Sequence, residues 1–317
     1  MKIGVGTQAL TYDEIYLVPK YSELETRKLA DTSAMLGKHK FKLPVAPSNM
    51  KTVIHDEWAK WLSNNDYFYM MHRFDAITVP FVKKANEENY KIVSISTGVN
   101  EDSLEELSII HKNEWRLDYI TIDVAHGHHI KVKRRIEEIR EYFPNVFIIA
   151  GNVTTPEGVR YLEEAGADAT RIGIGPGKAC TTKFQTGFHV PMFTALQECA
   201  KYAKKPMFAD GGINHYGDFA KALVAGADWI MAGSMFAACD DSPALVVNGR
   251  KVYYGSASAY NKGHNNHIEG TILDLEPHKS LEERLREITQ ALQSSISYAG
   301  GKDLKAFTTT NYVITNR

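Results

Sequence analysis

Cys180 lies in the loop Gly173-Ile174-Gly175-Pro176-Gly177-Lys178-Ala179-Cys180-Thr181-Thr182. A thiol among glycines is exposed on a turn rather than packed in a helix, and nearby amides and Lys178 would favour the thiolate, the form that acts as nucleophile. Cys199 and Cys239 fall in a helical stretch and beside a strand end, so they read as inert core residues. Two further segments, Asp210-Gly211-Gly212 and Gly233-Ser234, join glycine to a following helix start. There the backbone can approach an anion closely and amide groups can bind it. Singly, each could be only a tight turn; together they favour phosphate. The histidines form two groups, His126, His128 and His129, and His264 with His267. No cysteine stands at zinc spacing to either, so hydrogen bonding is expected of them rather than metal binding. The sequence has no Walker loop, and Gly4-Val5-Gly6 opens no strand–turn–helix dinucleotide unit.

These residues need a scaffold that brings them to one place. Short apolar runs at Pro44–Asn49, Tyr67–His72, Val93–Gly98, Tyr119–Val124, Val146–Val153, Ala169–Gly175, Pro206–Gly212 and Trp229–Ser234 read as buried parallel strands. Their starts are about 23 to 27 residues apart, with one gap of about 37 after the sixth, which predicts an α/β fold: a (β/α)8 TIM barrel with one enlarged loop. Every run ends in polar residues or glycine, as a shared mouth at the C-terminal ends of the strands requires. Amphipathic helices are expected between strands. In Lys131–Tyr142, Val132, Ile136 and Ile139 form the apolar stripe, and Lys133, Arg134 and Arg135 are placed outside. The matched segments Glu164–Asp168 and Val224–Asp228 carry glycine where a helix stops in the left-handed conformation. Residues 1–317 read as a single domain. Within it lie a cysteine loop at 173–189, an irregular flap at 240–279 rich in Gly, Asn and His, and a terminal helix Leu281–Ser297 with a tail, together 281–317.

Composition excludes several classes. Hydrophobic residues are 44% and charged residues 24% of 317, which is ordinary for a folded globular chain. Lysine and arginine number 37 against 38 acidic residues, so the basic surplus of a nucleic-acid binder is missing. No segment approaches the ~20 consecutive apolar residues of a transmembrane helix. Met1–Leu10 lacks the build of a secretory signal, and three scattered cysteines make no disulfide framework, so a reducing cytoplasm is expected.

The cysteine loop, Asp123–Gly127, Ala209–Ile213 and Tyr254-Gly255-Ser256-Ala257 together resemble the inosine monophosphate dehydrogenase and GMP reductase family, from Leu10 to about Tyr312. Within it the reductase branch is the better match. Phe74–Tyr90 holds one helix where dehydrogenases usually insert a regulatory domain, and Lys251–Ser280 lacks the arginine of their water-activating Arg-Tyr pair. Ile268-Glu269-Gly270 and Ser294–Gly301 are similar to the bacterial reductases.

The resemblance implies NADPH-dependent reductive deamination of GMP to IMP and ammonia, with Cys180 attacking purine C2 and Thr182 and Glu269 moving protons. It also implies substrate contacts at Asp210, Gly211, Gly212, Gly233, Ser234, Gly255, Ser256 and Gly270. Cofactor contacts fall on Thr26, Arg27, Arg73, Asp123, Val124 and Ala125, with Ser294 and Ser297 from a neighbouring subunit of a homotetramer. The backbone carbonyls of Gly175, Gly177 and Cys180 match the family's potassium site. In two places the chain departs from relatives: Asn266 and Ile268 stand where animal-type reductases have Arg and Ser, and Lys51 follows Asn49-Met50 in place of an acidic or amide residue. Two other functions remain open, an IMP dehydrogenase and a non-catalytic purine-nucleotide sensor.

Overall fold

The computed structural model describes residues 8–315. β1 (Ile15–Leu17) pairs antiparallel with the last strand, β14 (Tyr312–Ile314), tying the two ends of the described chain together. β2 (Ala34–Leu36) and β3 (His39–Phe41) form a hairpin. The central sheet is built from β4 (Val45–Pro47), β5 (Ser94–Thr97), β6 (Tyr119–Asp123), β7 (Phe147–Val153), β8 (Ala169–Ile172), β9 (Met207–Asp210) and β10 (Trp229–Ala232). Its strands are all parallel in the order β4-β10-β9-β8-β7-β6-β5, and nearly every residue in them is buried, as a sheet covered on both faces requires.

Seven of the eight expected strands are present; the segment Tyr67–His72 is the exception. It occupies the gap between β4 and β5 but makes only one parallel bridge, Met71 to Ile95. Lys42 N–H donates to Asp66 O at one end of this segment, and Met71 N–H to Ser94 O at the other. Between these points the Tyr69 hydroxyl does part of the work of a ladder, donating to Ile92 O at 3.0 Å and accepting from Ser94 N–H at 3.3 Å. A side chain inserted between two backbones prevents their regular pairing, so the barrel closes by packing. Phe68 points inward, where its ring lies 5.4 Å from Phe41, 5.0 Å from Tyr119 and 5.5 Å from Trp229. The β2–β3 hairpin thereby plugs the N-terminal end, with Tyr119 Oη donating to Leu36 O and Trp229 Nε1 to Met35 O.

The helices are α1 (Asp56–Asn64), α2 (Thr78–Glu87), α3 (Glu101–Lys112), α4 (Ile130–Tyr142), α5 (Pro156–Glu164), α6 (Thr182–Thr186), α7 (Met192–Ala200), α8 (Tyr216–Val224), α9 (Ser234–Ala237), α10 (Ala259–Lys262) and α11 (Leu281–Tyr298). Capping residues set their starts: Asn100 for α3, Thr155 before Pro156 for α5, and the reciprocal Ser280–Glu283 pair for α11. α9, which follows the last barrel strand, is only four residues long, and α11 packs on α8 in the outer ring. Gly166 and Gly226 both have positive φ (+106° and +107°), the left-handed stops expected after α5 and α8. None of the helices among the described residues is long and apolar enough to cross a membrane.

Two expectations are corrected. Arg135 is buried, not on the outer face of α4: it donates to Gly98 O at 2.8 Å, Asn100 O at 2.9 Å and Glu138 Oε2 at 2.7 Å. The carbonyls ending the β5–α3 connection need donors, and the five N–H groups of arginine supply them. The stretch Asp240–Lys279 is not irregular throughout. It carries an antiparallel sheet of β11 (Val246–Val247), β12 (Arg250–Tyr254) and β13 (Ile272–Leu275). Asn248 (φ 51°) and Gly249 (φ 76°) make the tight turn between β11 and β12, the conformation Asn-Gly favours in a two-residue hairpin.

Candidate active site

The C-terminal ends of the barrel strands and the inner side of the 240–279 segment enclose a cleft of about 610 Å3, within the ~300–1,000 Å3 range of small-molecule sites. It is lined by Cys180, Thr182, Glu269, Asp210, Gly211, Gly212, Gly233, Ser234, Gly255, Ser256, Arg73, Asp123, Val124, Ala125, Gly175 and Gly177. These sixteen were all singled out in the sequence. Gly270 stands behind the lining.

Cys180 is half-buried, and its Sγ lies 3.2 Å from Thr182 Oγ1. Thr182, itself buried, donates to Glu269 Oε2 at 2.7 Å. With its one proton given to the carboxylate, the threonine oxygen is an acceptor toward the thiol. The three side chains thus form a continuous path for a proton.

Backbone pairing sets this geometry. Thr181 N–H donates to Glu269 O at 2.8 Å and Thr271 N–H to Ala179 O at 2.9 Å, so the cysteine loop and the flap form an antiparallel bridge at Cys180 and Gly270. Glu269 N–H in turn donates to Ala257 O, and Gly255 N–H to Thr271 O. Three backbone segments meet at Gly270, where a Cβ would lie 2.8 Å from Ser258 N and 3.2 Å from both Ala257 C and Gly255 Cα. Only glycine fits there. By contrast, burial pushes the thiols of Cys199 and Cys239 up to about 12 and about 11, consistent with inert core residues.

Below the cysteine, β9 ends in Asp210, followed by Gly211 and Gly212 with φ of +96° and +82°. Consecutive positive φ values bend the chain directly off the strand and open space for a ligand. Asp210 Oδ2 accepts from Asn152 Nδ2 and from Arg171, each at 2.7 Å. Arg171 also donates to Asp123 Oδ1 at 2.9 Å, while Arg73 Nε donates to Asp123 Oδ2 at 3.3 Å. Burial alone would raise the Asp123 carboxyl pKa, but the Arg171 and Arg73 charges outweigh it and hold the group below its usual value. The same pairing outweighs burial at Arg171 and raises its pKa.

Arg171 and Tyr253 line the cleft but were not anticipated, and Asn152 lines it at the end of the Val146–Val153 run, where a polar mouth residue was expected. Arg171 had a visible signal, a cation inside the apolar strand Ala169-Thr170-Arg171-Ile172. Tyr253 is buried, which raises its phenol pKa, and a Cβ on Gly233 would lie 2.6 Å from its hydroxyl. Its alternation along β12 gives no local sign of which face meets the cleft.

The expected cofactor residues separate into two groups. Arg73, Asp123, Val124 and Ala125 are at the mouth, with the Arg73 guanidinium 5.0 Å from the Phe74 ring centroid. Thr26, Arg27, Ser294 and Ser297 line a different groove, beside α1 and α11, that shares no lining residue with the cleft. There Arg27 donates to Ser294 Oγ at 3.3 Å. Lys51 pairs with Asp75 at 2.7 Å and is not among the lining residues. Gly177 O accepts Cys180 N–H at 3.0 Å and retains a second lone pair, which suits a loop offering carbonyls to a hard cation. The histidines make local contacts: His129 caps α4 through Lys131 N–H, His264 accepts from Asn266 N–H, and His128 packs on Tyr161.

Residues 9–316 match the family described as IMP dehydrogenase / GMP reductase domain. The chain is 48% identical over 310 residues to a protein named GMP reductase from Staphylococcus epidermidis, covering 96% of this chain and 95% of that one. It is 47% identical, with the same coverage, to a protein of that name from Staphylococcus aureus.

Proposed function

The chain belongs to the IMP dehydrogenase / GMP reductase family, and on that premise we propose that it is an NADPH-dependent oxidoreductase that converts GMP to IMP and ammonia. The observation that carries this reading is the Cys180–Thr182–Glu269 path, in which a carboxylate from the flap meets the nucleophile loop. Losing ammonia from a purine needs a nucleophile at C2 and a proton donor at the departing nitrogen, and the path supplies both.

Asp210 offers its carboxylate to the ribose hydroxyls, and the amides around Gly211, Gly212, Gly233 and Ser234 face the phosphate. Gly255, Ser256 and Gly270 border the base. The Cys180 thiol passes its proton toward Thr182 and Glu269, and Sγ bonds to C2. Glu269, through Thr182, returns a proton to the 2-amino group as the C2–N bond breaks and ammonia leaves, with the purine held on sulfur. NADPH, when bound, supplies the hydride to C2. The C2–S bond then breaks and IMP is released. The balance is GMP, NADPH and one proton in; IMP, NADP+ and ammonia out.

The residues fit this cofactor. Arg73 and Asp123 form a partly open cation–carboxylate pair in the same cleft as Cys180, suited to a ribose hydroxyl and a phosphate oxygen. In a homotetramer, Thr26, Arg27, Ser294 and Ser297 of one subunit would serve the cofactor of its neighbour, which accounts for their distance from the mouth. The carbonyls of Gly175, Gly177 and Cys180 would hold potassium and brace the cysteine loop. The three cysteines are free thiols, as a reducing cytoplasm would keep them.

The test is nicotinamide absorbance with GMP and NADPH, beside IMP with NAD. Loss of NADPH with stoichiometric ammonia and IMP, abolished in C180A, is expected. NADH formed from IMP would make the chain a dehydrogenase, and tight GMP binding without turnover would make it a sensor.

A further inference from the structure

Arg171 is 4% exposed and projects from the middle of the central sheet, where β8 lies between β7 and β9. Its two terminal nitrogens are committed to different carboxylates, NH1 to Asp123 Oδ1 at 2.9 Å and NH2 to Asp210 Oδ2 at 2.7 Å. Its Nε is buried with no hydrogen-bond partner, so the two carboxylates alone hold the planar group. Asn152 also donates to Asp210 Oδ2, so both bonds on that carboxylate fall on one oxygen and leave Oδ1 for a ligand. Asp123 is divided differently, one oxygen to Arg171 and the other to Arg73.

We propose that Arg171 is a positioning residue that couples the nucleotide subsite to the nicotinamide subsite, its single guanidinium fixing one carboxylate of each. This rests on the functional reading above, in which Asp210 meets the GMP ribose and Asp123 the cofactor. A rigid fork cannot let one carboxylate turn without disturbing the other. The first ligand to bind orders the Asp210–Arg171–Asp123 unit, and the second then meets a carboxylate already in place. Such coupling is reciprocal: GMP tightens nicotinamide binding by the factor by which the nicotinamide tightens GMP.

The test measures the Kd of GMP by calorimetry with and without saturating NADP+, which has no hydride to transfer, and then the reverse order. In wild type each ligand tightens the other by about fivefold or more. In R171M each ligand still binds, and the factor falls to near unity. R171K keeps the charge but not the fork, so it is expected to lose the coupling as well. The pH profile of kcat/KM separates the two variants. Without the cation, the acid limb of R171M moves to higher pH as the buried carboxylates take up protons more readily, whereas R171K retains the wild-type limb. Coupling that survives in either variant, or a wild type that binds both ligands independently, overturns the proposal. If R171M does not fold, R171K alone decides it. Wild type that neither binds GMP nor turns it over overturns the functional reading instead.

Discussion

Thr182 and Glu269, 87 positions apart, share a 2.7 Å hydrogen bond that exists because the backbones beside them pair, Thr181 N–H to Glu269 O. Backbone pairing and side-chain chemistry are therefore separable. E269Q leaves the pairing intact, so its thermal midpoint should stay at the wild-type value. Its turnover of GMP with NADPH should fall by about 10²–10⁴-fold, the usual contribution of a positioned acid–base group. T182S keeps the hydroxyl and should retain most activity. Wild-type turnover in E269Q would remove the carboxylate from the proton path.

Gly270 tests the pairing itself. In G270A the new methyl group meets backbone atoms of Ser258, Ala257 and Gly255, which cannot move aside as a flexible side chain can. The expected cost is about 1–3 kcal/mol of overpacking, relieved by moving residues 269–271 away from 255–258, which shifts Glu269 off Thr182. Turnover should drop at least tenfold, roughly the equivalent of 1.4 kcal/mol on the barrier. G217A is the control: a Cβ there meets nothing within 4 Å on α8, and alanine is the better helix former. Equal activity in both variants would show that the close approach at Gly270 does not matter.

His72, at the end of the Tyr67–His72 segment, is 8% exposed, and burial pushes its pKa down from 6.5 to about 4, with Lys51 adding to the shift and Asp75 opposing it. The unfolded chain then binds a proton that the folded chain refuses. The neutral buried ring costs nothing above pH 6.5, and stability is lost as pH falls from 6.5 toward 4, by up to about 3 kcal/mol from this group. H72N keeps an acceptor for Phe74 N–H but cannot titrate. Its thermal midpoint should fall less between pH 7.5 and pH 5 than that of wild type. Burial also holds His39 and His55 low, so the slope should flatten rather than vanish. An unchanged slope would mean that His72 does not titrate in this range.

The barrel was largely legible because parallel strands buried on both faces must be apolar from end to end. Seven of the apolar runs contain an observed strand. The run at Tyr67–His72 is equally apolar, yet Tyr69 interposes its hydroxyl where a ladder would run, and nothing local distinguishes the two outcomes. Asn248-Gly249 was a readable hairpin signal hidden in a segment whose overall composition suggested an irregular loop. Arg135 looked like a surface cation because periodicity marks only the apolar stripe; its burial depends on carbonyls at Gly98 and Asn100, on another element.

The same division runs through the site. Residue types and spacing were sufficient to single out a cysteine in a glycine loop and glycine turns at two strand ends, since each is a local feature of the chain, whereas Glu269 came from the family resemblance. Tertiary structure alone decided that Glu269 meets Thr182, that three backbones cross at Gly270, that Arg171 bridges Asp123 and Asp210, and that Thr26, Arg27, Ser294 and Ser297 gather away from the mouth. These contacts join residues tens to hundreds of positions apart. Their partners are chosen by the path of the folded chain, and a sequence carries no local mark of a contact that chain closure creates.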